Sequence, residues 1–333
     1  MRDHHLSLRP AGVLVRRAIG LLPLQVRYPG VLPRISFSVM SSARISSSTS
    51  HEERTASQSR EKGIEFVRLE HIERVNDTIR LMRLYSTSSD HTIKYLPGQW
   101  LDVFLPGLHK AGGFTITSTP REARPTADNA AYLELAIQKS NNPPAKWLWR
   151  PVHEIQDQEL RVRVGGDFTW PPPRLDVRSI KRLVLVAGGV GINPLISILA
   201  HLMQAQQQRQ RPADIVFLYS TKASGLPIKI DEILFLSRLK NLLDDADGTR
   251  LELRLFLTGV TDGDVSRSNE LPPHTIARRI SEGDLEDSLG VPEARDGTVC
   301  YVCGPQAFTD QAVDFLSSCK GMVSERVLCE KWW

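Results

Sequence analysis

After residue 63 the chain alternates between apolar and polar residues in short runs, the pattern of strands with one buried face. Leu133, Leu135 and Ile137 show the alternation, and the turn dipeptide Pro97-Gly98 separates two of the runs. The pattern predicts strands over residues 66–72, 79–84, 100–104, 113–117, 132–137 and 159–164, with a short helix within 145–150. Six short strands at this spacing predict a small antiparallel barrel over residues 63–174.

Beyond the proline run at 171–173 the pattern changes, and unbroken apolar strands alternate with helical segments. Strands are predicted over 183–186, 215–219, 251–257 and 299–302, with helices from Pro194, over 229–239 and over 307–317. Strands that are apolar on both faces and alternate with helices are typical of a doubly wound parallel sheet. The predicted fold is therefore two-domain β plus α/β, with the antiparallel barrel followed by a doubly wound parallel-sheet domain over residues 178–333.

A glycine-rich loop connects the first parallel strand to its helix. Gly188, Gly189 and Gly191 lack a Cβ atom, and Pro194 suits the first turn of the helix that follows. The backbone amides of such a loop, together with the positive end of the helix, can hold a phosphate. From the loop alone two interpretations remain open: a phosphate-binding site, or a tight strand-to-helix turn that binds nothing.

Charge is distributed unevenly along the 333 residues. Residues 1–50 contain seven arginines and one acid, so this leader carries +6; the total is +4, which leaves about −2 for the remainder. A nucleic-acid-binding body is therefore not predicted. An Arg- and Ser-rich, acid-poor leader predicts a transit peptide over residues 1–55 and a mitochondrial matrix location, with a disordered cytosolic tail and a secretory signal as the alternatives. Residues 51–62 are expected to form a polar linker, and no stretch is long enough to span a membrane.

All four cysteines lie near the C-terminus, at Cys300, Cys303, Cys319 and Cys329. Cys300 and Cys303 form a single C-x-x-C, and no second pair or histidine group completes a zinc site, so no metal is predicted. The chain also lacks the C-x₄-C-x₂-C spacing of an iron–sulfur domain. Reduced thiols are therefore expected.

Taken in order, these segments resemble the ferredoxin–NADP reductase superfamily, in which a flavin-binding antiparallel barrel precedes a nicotinamide-nucleotide domain. The resemblance runs from Ile64 to the C-terminus and includes Pro97-Gly98-Gln99-Trp100, similar to the family's Pro-Gly-Gln-aromatic turn. It implies NAD(P)H and FAD as cofactors. It also implies hydride transfer from nicotinamide to flavin, with electrons passing to a separate, unidentified acceptor, either a small molecule or a protein.

The resemblance assigns flavin contacts to two stretches of the barrel. Gly112, Gly113, Phe114 and Thr115 stand where the family has Arg-x-Tyr-Ser, which places Phe114 near the flavin ring and the Thr115 hydroxyl near its N5. Ala145 and Lys146 lie where the family's Gly-x-x-Ser-x-x-Leu turn meets the flavin pyrophosphate. Glycine replaces the family's arginine at position 112.

In the second domain the resemblance assigns the nicotinamide nucleotide to three stretches, and it assigns flavin contacts to the chain end. The pyrophosphate is assigned to Gly188, Gly189, Val190, Gly191, Ile192, Asn193 and Pro194, and the adenosine ribose to Ser220, Thr221 and Lys222, which leaves NADH and NADPH both open. The turn Cys303-Gly304-Pro305 would place its thiol beside the nicotinamide, and Trp332 and Trp333 would cover the flavin ring and reach the flavin adenine. Thr115, Cys303 and Trp332 are the residues expected at the reacting rings, with Trp332 as a gate.

Gly112 and Ala145 depart from the family pattern and favour a second hypothesis. On that hypothesis the chain is an NAD(P)-binding, protein-interaction or redox-sensing module without turnover, and flavin has been lost or serves only as a sensor.

Overall fold

The computed structural model describes residues 50–88, 90–127, 129–204, 211–244 and 249–332. Residues 1–49, which hold most of the predicted transit peptide, and the predicted site residue Trp333 lie outside the described residues. No helix in the described ranges has the length and apolar character needed to cross a bilayer.

The first domain is an antiparallel six-stranded sheet in the order β4-β3-β6-β1-β2-β5. Its strands are β1 (Glu65–Arg74), β2 (Ile79–Ser86), β3 (Trp100–Phe104), β4 (Gly112–Thr115), β5 (Tyr132–Gln138) and β6 (Glu159–Gly165). An isolated bridge between Ile116 and Leu135 joins the two edge strands and closes the sheet into a barrel. Alternate residues such as Val67 and Leu69 are fully buried in its interior, as the period-two pattern predicts.

Two short helices, α2 (Pro143–Leu148) and α3 (Val152–Ile155), lie between β5 and β6. The predicted helix within 145–150 begins earlier, at Pro143, because proline needs no N–H partner in the first turn.

The second domain is a parallel six-stranded sheet in the order β10-β9-β8-β7-β11-β12. Its elements are β7 (Arg182–Gly188), α4 (Ile192–Met203), β8 (Asp214–Lys222), α5 (Leu236–Asp244), β9 (Arg250–Thr258), α6 (Asp262–Ser266), β10 (Thr275–Ile276), α7 (Glu282–Ser288), β11 (Thr298–Cys303), α8 (Gln306–Ser318) and β12 (Val327–Glu330). Leu183 and Leu185 pack on one face of the sheet and Val184 and Val186 on the other. The predicted fold class is confirmed.

The helix predicted over 229–239 is wrong in its first half. A 3₁₀ turn covers Ile230–Glu232, and α5 begins only at Leu236. Phe235 has a φ of 60°, outside the right-handed helical region, which interrupts the segment.

The linker predicted over 51–62 is also wrong. Residues His51–Arg54 form a one-turn helix, α1, whose N-cap Ser50 makes a capping box with Glu53. His51 is 5% exposed and Thr55 is 3% exposed. Arg60 forms an antiparallel bridge with Gly165 and donates to the Thr55 carbonyl at 2.7 Å. The segment therefore packs on the outer face of the barrel.

Buried polar contacts fix the two domains against each other. Arg238 of α5 donates to the Glu134 carboxylate of β5 at 2.7 Å, and Glu134 is 1% exposed. Further contacts run from Asn193 Nδ2 to the Ala136 carbonyl at 3.1 Å, from Ser197 Oγ to the Ser118 carbonyl at 2.7 Å and from Tyr301 Oη to the Thr169 carbonyl at 2.7 Å. These contacts hold the two domains together beside the crevice between them.

Candidate functional site

A cleft of about 490 Å³ lies between the barrel and the carboxyl ends of β7 and β11, and we call it the central cleft. Its barrel wall includes Gly113, Phe114, Thr115, Gln138 and Ala145, and its other wall Gly188, Gly189, Val190, Gly191, Asn193, Cys303, Gly304, Pro305 and Trp332. The volume lies within the ordinary range of ligand sites. Residues predicted separately for flavin and for nicotinamide therefore line one cleft.

A second cavity of about 720 Å³, the β8 cavity, opens at the carboxyl end of β8. Thr221 and Lys222 line it, facing the β1–β2 hairpin residues Arg74 to Ile79. Gly189, Val190 and Gln138 line both this cavity and the central cleft. The strand β7 has β8 on one side and β11 on the other, so the cavities meet where the strand order reverses, the usual ligand position in such sheets.

The glycines between β7 and α4 have different roles. A Cβ atom on Gly191 would lie 2.2 Å from the Cys303 carbonyl oxygen, so this glycine permits close packing of two turns. Gly189 has a φ of +54°, and an added Cβ would meet no atom within 4 Å. Its backbone is therefore open to the cleft. Gly191 thus serves a tightly packed turn, and Gly189 leaves the backbone approachable.

Four other residues predicted to bind the two cofactors do not line the central cleft or the β8 cavity. Ile192 and Pro194 are buried behind the loop, in the first turn of α4. Ser220 pairs with Gly188 in the sheet register and lines neither cavity. Lys146 is exposed outside the central cleft, next to the buried Ala145.

Cys303 and Glu330 lie side by side, because β12 pairs with β11 in the register that sets these two residues opposite each other. Both are buried, at 1% and 3% exposure. Burial, with the neighbouring Glu330 and Cys329 adding to it, raises the pKa of the Cys303 thiol well above its usual range. Burial likewise raises the pKa of Glu330, which Trp332 only partly offsets. The Cys303 thiol is therefore protonated at neutral pH, and burial disfavours the charged form of Glu330.

Gly112 shows why the arginine of the related motif is absent. A Cβ atom there would lie 2.5 Å from Pro144 Cβ and 2.6 Å from Phe114 Cε2. The Phe114 ring also packs against the barrel core. Ring and proline occupy the space that a longer side chain at position 112 would need.

The sequence did not indicate His51. Its ring lies directly over Gly113, where an added Cβ would come within 2.1 Å of it. Trp332 stacks on this ring at a centroid distance of 5.5 Å and an interplanar angle of 21°, and Trp100 meets it edge-on at 4.6 Å. Trp332 also lines the central cleft. The predicted gate residue is thus supported by α1, a segment 60 residues distant from β4 in the chain.

Asp102 anchors this side of the barrel. It is fully buried, lies 3.1 Å from His51 Nε2, and accepts hydrogen bonds from Arg60 at 2.9 Å and Arg163 at 2.7 Å. Burial opposes ionisation, but the hydrogen bonds from His51, Arg60 and Arg163 outweigh it and lower the pKa of Asp102 to about 2. The carboxylate is therefore charged and ties α1 to β3 and β6.

A third cavity of about 660 Å³, the α1 cavity, lies beside α1 and the start of α2. Arg54 and Asn142 line both this cavity and the central cleft. The central cleft is therefore flanked by two further cavities, each sharing residues with it. Among the described residues, no group of three or more His, Cys, Asp or Glu side chains is arranged to hold a metal ion.

Residues 180–273 match the family described as Ferric reductase NAD binding domain. A human protein named oxidoreductase NAD-binding domain-containing protein 1 is 34% identical over 304 residues, covering 89% of this chain and 88% of that protein. The Xenopus laevis protein of the same name is 32% identical over 309 residues, covering 90% of each.

Among solved structures, a ferredoxin NADP⁺ reductase from Neisseria gonorrhoeae with bound FAD and NADP superposes with a TM-score of 0.58 at 15% identity, covering 82% of this chain and 100% of that one. This superposition shows a shared fold. The second domain is thus of the NAD-binding oxidoreductase type. The chain belongs to the family of oxidoreductase NAD-binding domain-containing protein 1.

Proposed function

We propose that the chain is a flavin-dependent NAD(P)H oxidoreductase that passes electrons to a separate acceptor. The observation that carries the proposal is the continuity of the three cavities. The β8 cavity adjoins the central cleft through Gly189 and Val190, and the α1 cavity adjoins it through Arg54 and Asn142. Two elongated ligands entering from opposite ends would bring their inner ends together in the central cleft.

The nicotinamide nucleotide would occupy the β8 cavity and one side of the central cleft. Its pyrophosphate would lie at the open backbone of Gly189, with Thr221 and Lys222 at the adenosine end. The nicotinamide would lie against Cys303. Because burial keeps this thiol protonated, it would position the ring and would add no negative charge.

FAD would occupy the α1 cavity and the other side of the central cleft. Gly113, Thr115, Ala145 and Trp332 line the surface available to it. When bound, a flavin would accept the hydride that NAD(P)H gives up, and the two electrons would then pass to the separate electron acceptor. The residues of the chain would orient the rings and exclude water.

The visible spectrum of the purified protein tests the proposal. We expect flavin absorbance that bleaches on anaerobic addition of NADH or NADPH, and stopped-flow rates with each donor identify the preferred one. A colourless preparation that takes up no flavin on reconstitution would contradict the flavin half. Calorimetric titration with NADH and with NADPH tests nicotinamide-nucleotide binding separately.

The packing of Phe114 and Pro144 at Gly112 favours a second candidate, an NAD(P)-binding or redox-sensing module without turnover. Nucleotide binding without flavin uptake, or flavin reduction without turnover on any acceptor, would identify it.

We also propose a mitochondrial matrix location, on the charge of the leader. A fluorescent fusion of the full chain should enter mitochondria. The matched fusion lacking residues 1–49, which retains α1, should remain in the cytosol.

A further inference from the structure

The segment containing α1 meets the candidate site at Arg54. This residue lines both the central cleft and the α1 cavity, so it stands at the junction between them. Asn142, which precedes α2, is the other residue that lines both. A ligand extending from one cavity into the other must pass these two side chains.

The α1 cavity is lined by basic side chains and by no acidic ones. Arg54, His109 and Lys110 contribute to its lining, and its remaining walls are apolar or uncharged, among them Leu108 and Pro143. Glu53 lies 3.7 Å from Lys110, but Glu53 does not line the cavity. Such a lining favours a ligand that has anionic groups next to a mostly apolar body.

Arg54 is held at the junction by contacts elsewhere in α1. His51 is fixed between Gly113 and Trp332 and lies 3.1 Å from the fully buried Asp102. Ser50 caps the helix and Thr55 donates to the His51 carbonyl at 2.8 Å. The helix can approach β4 this closely because position 113 has no side chain. β4 has no arginine of its own, and Arg54 of α1 lines the same cleft as Gly113 of β4.

We propose that Arg54 binds the diphosphate of the flavin dinucleotide, and that α1 forms a wall of the flavin site. This inference rests on the proposed flavin function. A guanidinium group offers paired N–H donors that match two phosphate oxygens, which gives charge-assisted bonds at the midpoint of the ligand. The isoalloxazine would extend from that midpoint into the central cleft and the adenosine into the α1 cavity.

Equilibrium titrations with FAD, FMN and riboflavin, followed by flavin fluorescence, test the assignment. The Arg54→Ala variant should bind FAD about ten- to a hundredfold more weakly than the unmodified protein. FMN, with one phosphate, should be affected less, and riboflavin, with none, hardly at all. Arg54→Lys should be intermediate because it keeps the charge and loses the paired donors. Arg68→Ala, at an exposed position on β1 outside all three cavities, is the matched control.

Three outcomes would overturn the assignment. Unchanged FAD affinity in Arg54→Ala would show that the guanidinium contacts no phosphate. Equal weakening for FAD and riboflavin would show a structural role only. Tighter FAD binding would show that α1 competes with the flavin for the site. If the unmodified protein binds neither FAD nor riboflavin, the proposed flavin function itself fails, whereas failure of the Arg54 assignment alone leaves FAD binding intact.

Discussion

The two walls of the central cleft are built differently. On the nucleotide side, β7, its glycine loop and α4 follow one another within Arg182–Met203, so neighbours in space are neighbours in the chain. On the barrel side, β4 is completed by α1 and by Asp102, and these are separated by about 60 residues and about 10 residues of sequence respectively. A local wall can be recognised from a motif. A wall assembled from distant segments becomes visible only when the segments are placed in space.

The largest expected loss of stability comes from a substitution at Gly191, in the wall of the central cleft that is formed by consecutive segments of the chain. Replacing Gly191 with alanine puts a Cβ atom 2.2 Å from the Cys303 carbonyl oxygen, where backbone must move. We expect a loss of about 3 kcal/mol in unfolding free energy and loss of nucleotide binding, measured by urea denaturation and calorimetry. Gly225→Ala, in the same domain and with no atom within 4 Å of the added Cβ, is the control. Equal effects of the two variants would mean that the loop and the Cys303 turn separate easily.

The next effect tests whether α1 and β4 form one unit. Gly113→Ala places a Cβ atom 2.1 Å from the His51 ring, and His51→Ala removes that ring. We expect Gly113→Ala to cost about 2 kcal/mol and the double variant to recover part of that cost, with a coupling of about 1 kcal/mol from urea denaturation. Additive effects would show that α1 is not seated on β4 in solution. His71→Ala, on the exposed surface of β1, controls for loss of a histidine.

The smallest effect concerns acid stability. The pKa of Asp102 falls from its ordinary 3.8 to about 2 on folding, so the folded protein binds fewer protons than the unfolded chain between these values. Its contribution, on the order of 2 kcal/mol, is complete above about pH 5 and disappears as the pH falls through 2. Asp102→Asn should therefore be less stable than the unmodified protein at pH 7, and the gap should close near pH 2. A gap that stays constant with pH would contradict the charged state of Asp102.

The sequence allowed the fold class and the glycine-rich turn between β7 and α4 to be predicted because their signals are local. Apolar runs ending in Gly188 and Gly189 define both a buried strand and an open turn. The helix over 229–239 was misplaced because Phe235 adopts a positive φ. A phenylalanine gives no sign of this conformation in the sequence. β12 escaped prediction because four residues carry too little periodicity, and Glu330 gains its neighbour Cys303 only through strand pairing.

The sequence predicts a linker over residues 51–62 because they are polar and charged. On the barrel surface Arg60 pairs with the buried Asp102 at 2.9 Å, and His51 Nε2 lies 3.1 Å from the same carboxylate. A polar segment can form an ordered part of a site when it pairs with a buried group of opposite charge elsewhere in the fold. The local sequence pattern does not reveal such a partner.

The two flanking cavities give the central cleft two separate entrances. The β8 cavity and the α1 cavity join the central cleft at different residues, so a ligand in one does not obstruct the entrance to the other. On the proposed function, a nucleotide at the β8 end could be exchanged while the flavin at the α1 end stays bound. Separate entrances would then allow repeated catalytic cycles on one bound flavin.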